Sequence, residues 1–133
     1  MLTSNINQFM KDTEKAIKNE REKQESKAKE IIITAYDLIV NGSAVDTGLF
    51  KNSHIINYNT TNENIPTTIN PASPLINKAT VGAFPFKDND FIVIQNNLKY
   101  ADALEGGSSK QQPPALYGRT EQKIKSLLNQ IIK

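Results

Sequence analysis

The feature that most restricts the fold is a helical pattern over residues 1–42. Ile6, Phe9 and Met10 lie at i, i+3 and i+4, the spacing of one helix face, and Ile17 follows Met10 by one heptad. A pattern this long assigns about a third of the chain to one helix. The rest of the fold has to be arranged around it.

The middle of this helix, Lys18–Glu30, carries opposite charges three and four residues apart and no large apolar side chain. Such a segment is typical of a solvated helix. Apolar residues return over 31–40, and Asn41-Gly42 is a C-terminal stop, because both residues tolerate the left-handed conformation. From residue 6 to 40 the helix would be about 50 Å long at about 1.5 Å per residue. We expect its polar half to project or to pack on another subunit, unless a kink folds it back.

Short β-like segments follow. Ser53–Asn59 and Asp90–Asn96 are rich in β-branched and aromatic residues, and Lys78–Phe84 is a weaker third strand. Pro85 and the polar residues after it indicate a hairpin turn. The connection over 60–77 is long, polar and proline-containing, which is typical of a functional or mobile loop.

The C-terminal quarter predicts a short helix over Leu98–Gly107, a loop, and a final helix capped by Thr120. The final helix has an amphipathic stripe that needs a partner surface. Its apolar side chains are Ile124, Leu127, Leu128 and Ile131.

These segments predict a single α+β domain over 1–133. Its parts are a long helix (1–42), a sheet with the long loop (43–98), and a short helix, loop and C-terminal helix (99–133).

Composition narrows the chemistry. Cysteine is absent and His54 is the only histidine, so a disulfide framework, a His-rich metal site or a Ser-His-Asp triad is hard to build. We expect no cofactor, no metal and no membrane span, and we expect His54 to be structural or exposed. The net charge of +2 is too small to indicate nucleic acid by itself, although the positive excess lies in residues 97–133.

Asp46-Thr47-Gly48 has two interpretations. As the tripeptide of a retroviral-type aspartic protease, it would pair with a second copy across a dimer, so that two carboxylates share a proton; Leu116–Arg119 resembles a stretch that supports such an active site. As a turn, Asp46 would hydrogen-bond nearby backbone amides and Gly48 would take positive φ. That protease fold is almost all β and has a glycine-rich flap, which this chain lacks, so we favour the turn and expect no enzyme activity.

Two segments together resemble a known family. VDTGLFKNS (45–53), after a long helix, resembles the Val-Asp-Thr-Gly-x-Leu/Phe-Arg/Lys-x-Ser signature of tailed-bacteriophage tail-completion proteins, also called neck, head-tail joining or minor tail proteins. Residues 96–118 resemble the family's second region, with a slightly looser spacing near its end. The matching residues there are Tyr100, Ala101, Leu104, Glu105, Gly107, Ser109, Gln112, Pro113 and Gly118.

The resemblance implies a long N-terminal helix packed on a small curved antiparallel sheet of three to four strands. It implies a homo-oligomeric ring, typically a hexamer, in the neck of the virion, assembled from subunits made in the host cytoplasm. The ring would join the head connector or adaptor to the tail terminator or tail tube and let double-stranded DNA pass, without catalysing a reaction.

The resemblance also assigns roles to residues. Asp46, Thr47 and Gly48 would form the structural turn. Separately from the resemblance, we expect the loops Thr60–Leu75 and Gly106–Pro114 to be disordered in the free subunit and to order against neighbouring rings. The expected assembly residues are Lys51, Tyr100, Glu105, Ser109, Gln112 and Pro113. Lys51 departs from the arginine that the family favours.

The basic C-terminal quarter adds Lys99, Lys110 and Arg119, with Lys51, as candidate DNA-channel residues. A helical adaptor built on residues 1–40 is a further alternative. It is weakened by the break in the apolar stripe between Ile17 and Ala28, because a coiled coil needs a sustained seam.

Overall fold

The computed structural model describes residues 2–45, 48–87, 90–107 and 115–132, with side chains described from residue 8 to 127 of those ranges. The chain divides into two compact units, Met1–Glu30 and Ile31–Lys133. The elements are α1 (Leu2–Gly42), β1 (His54–Tyr58), α2 (Ser73–Ala83), β2 (Ile92–Asn96), α3 (Ala101–Glu105) and α4 (Leu116–Ile132). The α+β class and the long N-terminal helix are therefore confirmed.

The first unit is helical and solvated. Lys29 and Glu25 form an i, i+4 ion pair at 3.1 Å, as their spacing predicts. Gln8 donates to Asp12 at 3.0 Å one turn further on. Polar and charged side chains one turn apart thus contact one another along the helix surface.

The last turns of α1 provide the core helix of the second unit. Tyr36 and Val40 are buried with Ile56 of β1 and Val81 of α2, and Phe84 completes this first cluster. Ile39 lies in a second cluster, described below. The helix ends at Gly42, where the Asn41-Gly42 stop predicts it.

The sheet has two strands in the part of the chain that the structure describes. β1 and β2 are antiparallel, with His54 opposite Asn96 and Tyr58 opposite Ile92. Both strands lie inside the segments predicted for them. The expectation of three to four strands is wrong for the described residues.

The third predicted strand, Lys78–Phe84, is mostly helix: it lies within α2 and its C-cap. Asn77, Val81 and Phe84 are buried, and their spacing of four and three residues is a helical period. Proline in the first turn favours a helix start there, and Lys78 pairs with Asp37 of α1 at 2.8 Å. A short apolar run is ambiguous between helix and strand, and packing against β1 decides for the helix.

Because α2 precedes β2, the turn near Pro85 joins a helix to a strand, and the predicted hairpin is wrong. The amide of Asp90 donates to the carbonyl of Lys87 at 3.2 Å, so the chain does turn here. Tyr58 donates to the Asp90 carboxylate, which fixes the turn against β1. The prediction of a turn here is therefore correct in position, but the element that precedes the turn is a helix and not the predicted strand.

The connection between β1 and α2 ends at Ala72, so it is shorter than the predicted 60–77. Polar side chains at the end of β2 and just after it hold the first residues of this connection. Gln95 Nε2 and Asn97 Nδ2 each donate to the carbonyl of Asn62 at 2.6 Å, and Asn97 also donates to the carbonyl of Asn64 at 2.9 Å. Side-chain amides therefore supply the backbone partners that a third strand would have supplied.

The second cluster joins α1 to the C-terminal helices. Its buried members are Ile39, Phe50, Leu98, Leu104 and Leu116. A Cβ placed on Gly42 would lie 2.6 Å from Leu116 Cδ1. Glycine at the end of α1 thus permits the close approach of α4.

Candidate functional site

The described part of the signature forms a tight turn between α1 and β1. Gly48 has φ +85°, which confirms the predicted positive φ and which residues with a Cβ rarely adopt. Its carbonyl accepts from the amide of Asn52 at 3.1 Å and from Asn52 Nδ2 at 2.8 Å. Asp46 and Thr47 lie outside the described residues, so the expected Asx-type turn stays a prediction.

Phe50 connects the two segments that carry the resemblance, 45–53 and 96–118, which we call the two halves of the signature. Its side chain is buried with Leu98 and Leu104 of the second half, and its ring centroid lies 6.2 Å from that of Tyr100. Its carbonyl accepts from Asn96 Nδ2 at 3.0 Å. Two segments separated by some fifty residues of sequence therefore form one cluster.

Glu105 of α3 caps the N-terminus of α4. Its carboxylate accepts from the amides of Tyr117 at 3.0 Å and Gly118 at 3.1 Å, and its carbonyl accepts from the amide of Ala115 at 2.7 Å. A negative charge on the first free amides of a helix supplies both a cap and a favourable dipole interaction.

This cap corrects the expected start of the last helix. The predicted cap, Thr120, lies inside α4, and its hydroxyl donates to the carbonyl of Leu116 at 2.8 Å. The helix starts earlier because Glu105 satisfies its first amides. Glu105 is half-buried in this role.

We expect Glu105→Ala to lower the free energy of unfolding by about 1–2 kcal/mol, the usual cost of losing a charged helix cap. Urea denaturation followed by tyrosine fluorescence measures this, since every tyrosine lies in the second unit. Asp102→Ala is the matched control, because Asp102 is an exposed carboxylate on α3, the helix that also contains Glu105. Equal losses for the two variants would show that the contacts to α4 are not stabilising.

His54 is fully buried and links three elements. Its Nε2 lies 2.7 Å from the Ser43 hydroxyl, just after α1, and its Nδ1 lies 2.8 Å from the Tyr117 hydroxyl of α4. Its ring packs edge-on against Phe50 with centroids 4.8 Å apart. Of the two places expected for His54, structural or exposed, the structure shows the buried, structural one.

The hydrogen bonds assign the proton positions. Ser43 has one hydroxyl hydrogen, and it donates to the carbonyl of Ile39 at 2.6 Å. The same oxygen must then accept from His54 Nε2–H, which leaves Nδ1 as the acceptor for Tyr117. Burial lowers the pKa of His54 to about 4. Burial, and after it the nearby Glu105 carboxylate, raises the pKa of Tyr117, so its hydroxyl stays a donor.

This Ser43–His54 pair resembles the nucleophile and base of a hydrolase only in distance. Both side chains are buried, and the serine proton is already donated to Ile39. The group that orients the imidazole is a phenol, whereas in such triads it is a carboxylate. The arrangement holds α1, β1 and α4 together and offers no reacting atom to a substrate.

Asn77 extends the network to α2. Its amide donates to Tyr36 Oη and to the carbonyl of His54, both at 3.0 Å, and burial raises the pKa of Tyr36. Sequence reasoning missed Ser43, Asn77 and Tyr117. An isolated buried polar residue has no local pattern, because its partners are far away in the sequence.

The remaining predicted residues occupy separate places. A pocket of about 190 Å³ is lined by Phe50, Asn96, Ala101, Asp102, Glu105 and Tyr117. Glu105 of the segment 96–118 therefore lines the same pocket as Phe50 of the segment 45–53, and Tyr100 packs nearby on Phe50. Lys51 is half-buried and Lys99 exposed, while Arg119 lines a different groove, beside α1. Ser109, Lys110, Gln112 and Pro113 lie outside the described residues.

No group of three or more histidine or carboxylate side chains in the described ranges is arranged to hold a metal ion. The described helices also include none with the length and apolar character needed to cross a membrane. Comparison with protein-family models, with curated proteins and with solved structures gives no match.

Proposed function

We propose that this protein is a structural subunit of the neck of a tailed bacteriophage. Copies form a ring that joins the head connector to the tail and lets DNA pass, and no reaction is catalysed. The observation that carries the proposal is the meeting of both halves of the signature at Phe50. Residues that resemble one family's pattern at two distant places pack together as parts of one structural unit.

The roles found for these residues support an assembly function. Gly48 shapes a turn, Phe50 fills the cluster, and Glu105 caps α4. Each is a structural role, as expected of a subunit that acts through its shape. The expected interface role of Glu105 is then indirect, since it positions the start of α4.

Exposed apolar side chains supply surface for neighbours. In the second unit, large apolar side chains that are about half or more exposed are Val45, Ile65, Ile69, Leu75, Ile76 and Phe91. Ile65 and Ile69 belong to the loop Thr60–Leu75, which we expect to order against neighbouring rings.

In this proposal, basic side chains face the DNA channel. Lys51, Lys99, Lys110 and Arg119 are the proposed contributors, since a channel that favours DNA carries positive potential. Charge reversal at Lys99 should lower DNA retention in assembled particles. Unchanged retention would remove Lys99 from the channel.

The direct test is reconstitution. Tails from a lysate that lacks this protein are mixed with filled heads, with and without the purified chain, and joined particles are counted by electron microscopy. We expect joined particles, with ring density at the junction, only when the chain is added. An equal number of joined particles in both mixtures would overturn the proposal.

Asp46→Asn separates the neck protein from the aspartic protease. The asparagine oxygen can accept the same backbone hydrogen bonds as the carboxylate, so the turn is kept, whereas a protease dyad loses its shared proton. We expect joining at the level of the unsubstituted chain. Asp46→Ala, which also removes the turn contacts, is the control and should reduce joining.

Peptide cleavage by the purified chain is the opposing readout. Cleavage that disappears in Asp46→Asn would reverse the assignment in favour of the protease.

A further inference from the structure

The first unit exposes an apolar stripe on α1. Phe9, Met10 and Ile17 are 71%, 55% and 50% exposed. At about 3.6 residues per turn they share one face with Thr13 and Ala16. We call these five residues the arm stripe.

Within residues 9–18 the charges around the arm stripe are sorted by sign, and Arg21 follows Ile17 one turn later. In the helical projection Asp12 and Glu14 border the stripe on its two sides, whereas Lys11, Lys15 and Lys18 lie on the opposite face. A partner of the stripe therefore meets apolar side chains with a negative border. The matching surface would be apolar with a positive border.

Such a surface lies between the end of α1 and α4, within the second unit. This α1–α4 groove has a volume of about 860 Å³, enough for several apolar side chains. It is lined by Thr34, Leu38, Asn41, Gly42, Leu116, Arg119, Thr120, Gln122, Lys123, Ser126 and Leu127. Three of these are leucines, two are cations and none is a carboxylate.

The groove also contains part of the α4 stripe that the sequence marks as needing a partner. Leu127 remains 37% exposed there, while Leu116, one end of the groove, is buried in the core. The exposed part of the stripe thus begins where the core ends. An amphipathic helix laid into such a groove is a common mode of recognition, with anchors at helical spacing.

We propose that the arm stripe of one copy binds in the α1–α4 groove of a neighbouring copy. This inference rests on the proposed function and names the contact between ring subunits. Each copy carries both surfaces, so the contact is head-to-tail and propagates around a ring. It pairs Asp12 and Glu14 with Lys123 and Arg119, and it moves Arg119 from the DNA channel to a subunit interface.

Disulfide trapping tests the contact, because the chain has no cysteine of its own. Two full-length variants, Ile17→Cys and Leu127→Cys, are mixed under oxidising conditions, one of them with an affinity tag. We expect the mixed dimer as the main product. The matched control replaces the first variant with Lys15→Cys, on the opposite helix face, and should give at least about tenfold less mixed dimer.

Charge reversal gives a second readout on the same trap. Asp12→Lys with Glu14→Lys should lower the mixed-dimer yield by about tenfold, since like charges would then face each other. Lys11→Glu with Lys15→Glu, on the opposite face, should leave the yield unchanged. Circular dichroism checks that the helix is retained in all variants.

Two outcomes would overturn the proposal. One is a mixed-dimer yield equal to that of the Lys15→Cys control. The other is a chain with both Ile17→Cys and Leu127→Cys that closes its disulfide within one molecule, which would mean that the arm folds onto its own groove. The trap needs only the purified chain, so its failure is distinguishable from failure of the reconstitution of heads and tails.

Discussion

The free energy of unfolding should fall by about 3 kcal/mol as the pH is lowered from about 6.5 to about 4. The pKa of His54 is 6.5 in the unfolded chain and about 4 in the folded protein, and each pKa unit corresponds to about 1.4 kcal/mol. Between these two values the unfolded state binds the proton and the folded state does not, so stability rises with pH. The full contribution is therefore present above pH 6.5 and is lost as the pH falls through this window.

The pKa of His54 is low because its imidazole is buried among neighbouring side chains. Ser43, Tyr117 and the ring of Phe50 occupy its neighbourhood, and no carboxylate contributes to its lowered pKa. A proton on Nδ1 would turn the acceptor of the Tyr117 hydrogen bond into a donor. Burial of the resulting charge without a counter-ion is costly.

Urea denaturation at pH steps from 7 to 4 measures the effect, and His54→Gln is the control. A glutamine amide can donate to Ser43 and accept from Tyr117, yet it does not titrate. The free energy of unfolding of this variant should therefore change less with pH than that of the unsubstituted chain over this window. Carboxylates contribute equally to the pH dependence of both chains. Hydrogen bonds from Tyr58 and Asn59 lower the pKa of Asp90. Asp90 therefore changes the stability only at pH values below its ordinary pKa of 3.8, outside this window. The same slope in both chains would show that His54 is not the titrating group.

The sequence predicted elements with a long or clear period. α1 has a helical period and a glycine stop, and β1 and β2 are β-branched runs bounded by polar turns. Each of these signals lies within the element itself, so single-sequence reasoning is able to find it. The confirmed positive φ of Gly48 is likewise a local property of one residue.

The errors occur where distant residues decide the structure. Lys78–Phe84 reads equally well as a strand or a helix, and contacts of Val81 and Phe84 with α1 and β1 decide for the helix. The start of α4 depends on Glu105, which lies before a loop and has no local relation to Tyr117. A search limited to neighbouring residues finds Thr120 instead, a good cap by type in the wrong place.

The contacts within the candidate site were not predictable from the sequence. The resemblance selects residues 45–53 and 96–118, but it does not indicate that Phe50 is the point where they meet. His54 stands between the two segments in sequence, and its partners Ser43 and Tyr117 are 11 and 63 residues away. Burial in a tertiary cluster is a property of the fold, which no local pattern encodes.

Phe50→Ala should cost about 3–5 kcal/mol of the free energy of unfolding, the range for removing a buried phenylalanine from a core. Phe50 is 6% exposed, and its loss leaves a cavity among Leu98, Leu104 and Leu116. Domains of this size have total stabilities of about 5–15 kcal/mol, so the variant should lose a large part of its stability. The shift of the urea midpoint, followed by tyrosine fluorescence, measures the loss.

Phe91→Ala is the matched control, because Phe91 is the same residue type and its side chain is 53% exposed. It should change the free energy of unfolding by no more than about 0.5 kcal/mol, as surface substitutions do. A comparable loss in both variants would mean that Phe50 does not join the two halves of the signature through a core. If Phe50 acts only through stability, Phe50→Ala should also regain head-tail joining when the assay is cooled, because the folded fraction then rises. A loss of joining that persists while the chain is folded would instead place Phe50 in the contact surface, and the cluster would then have to open during assembly.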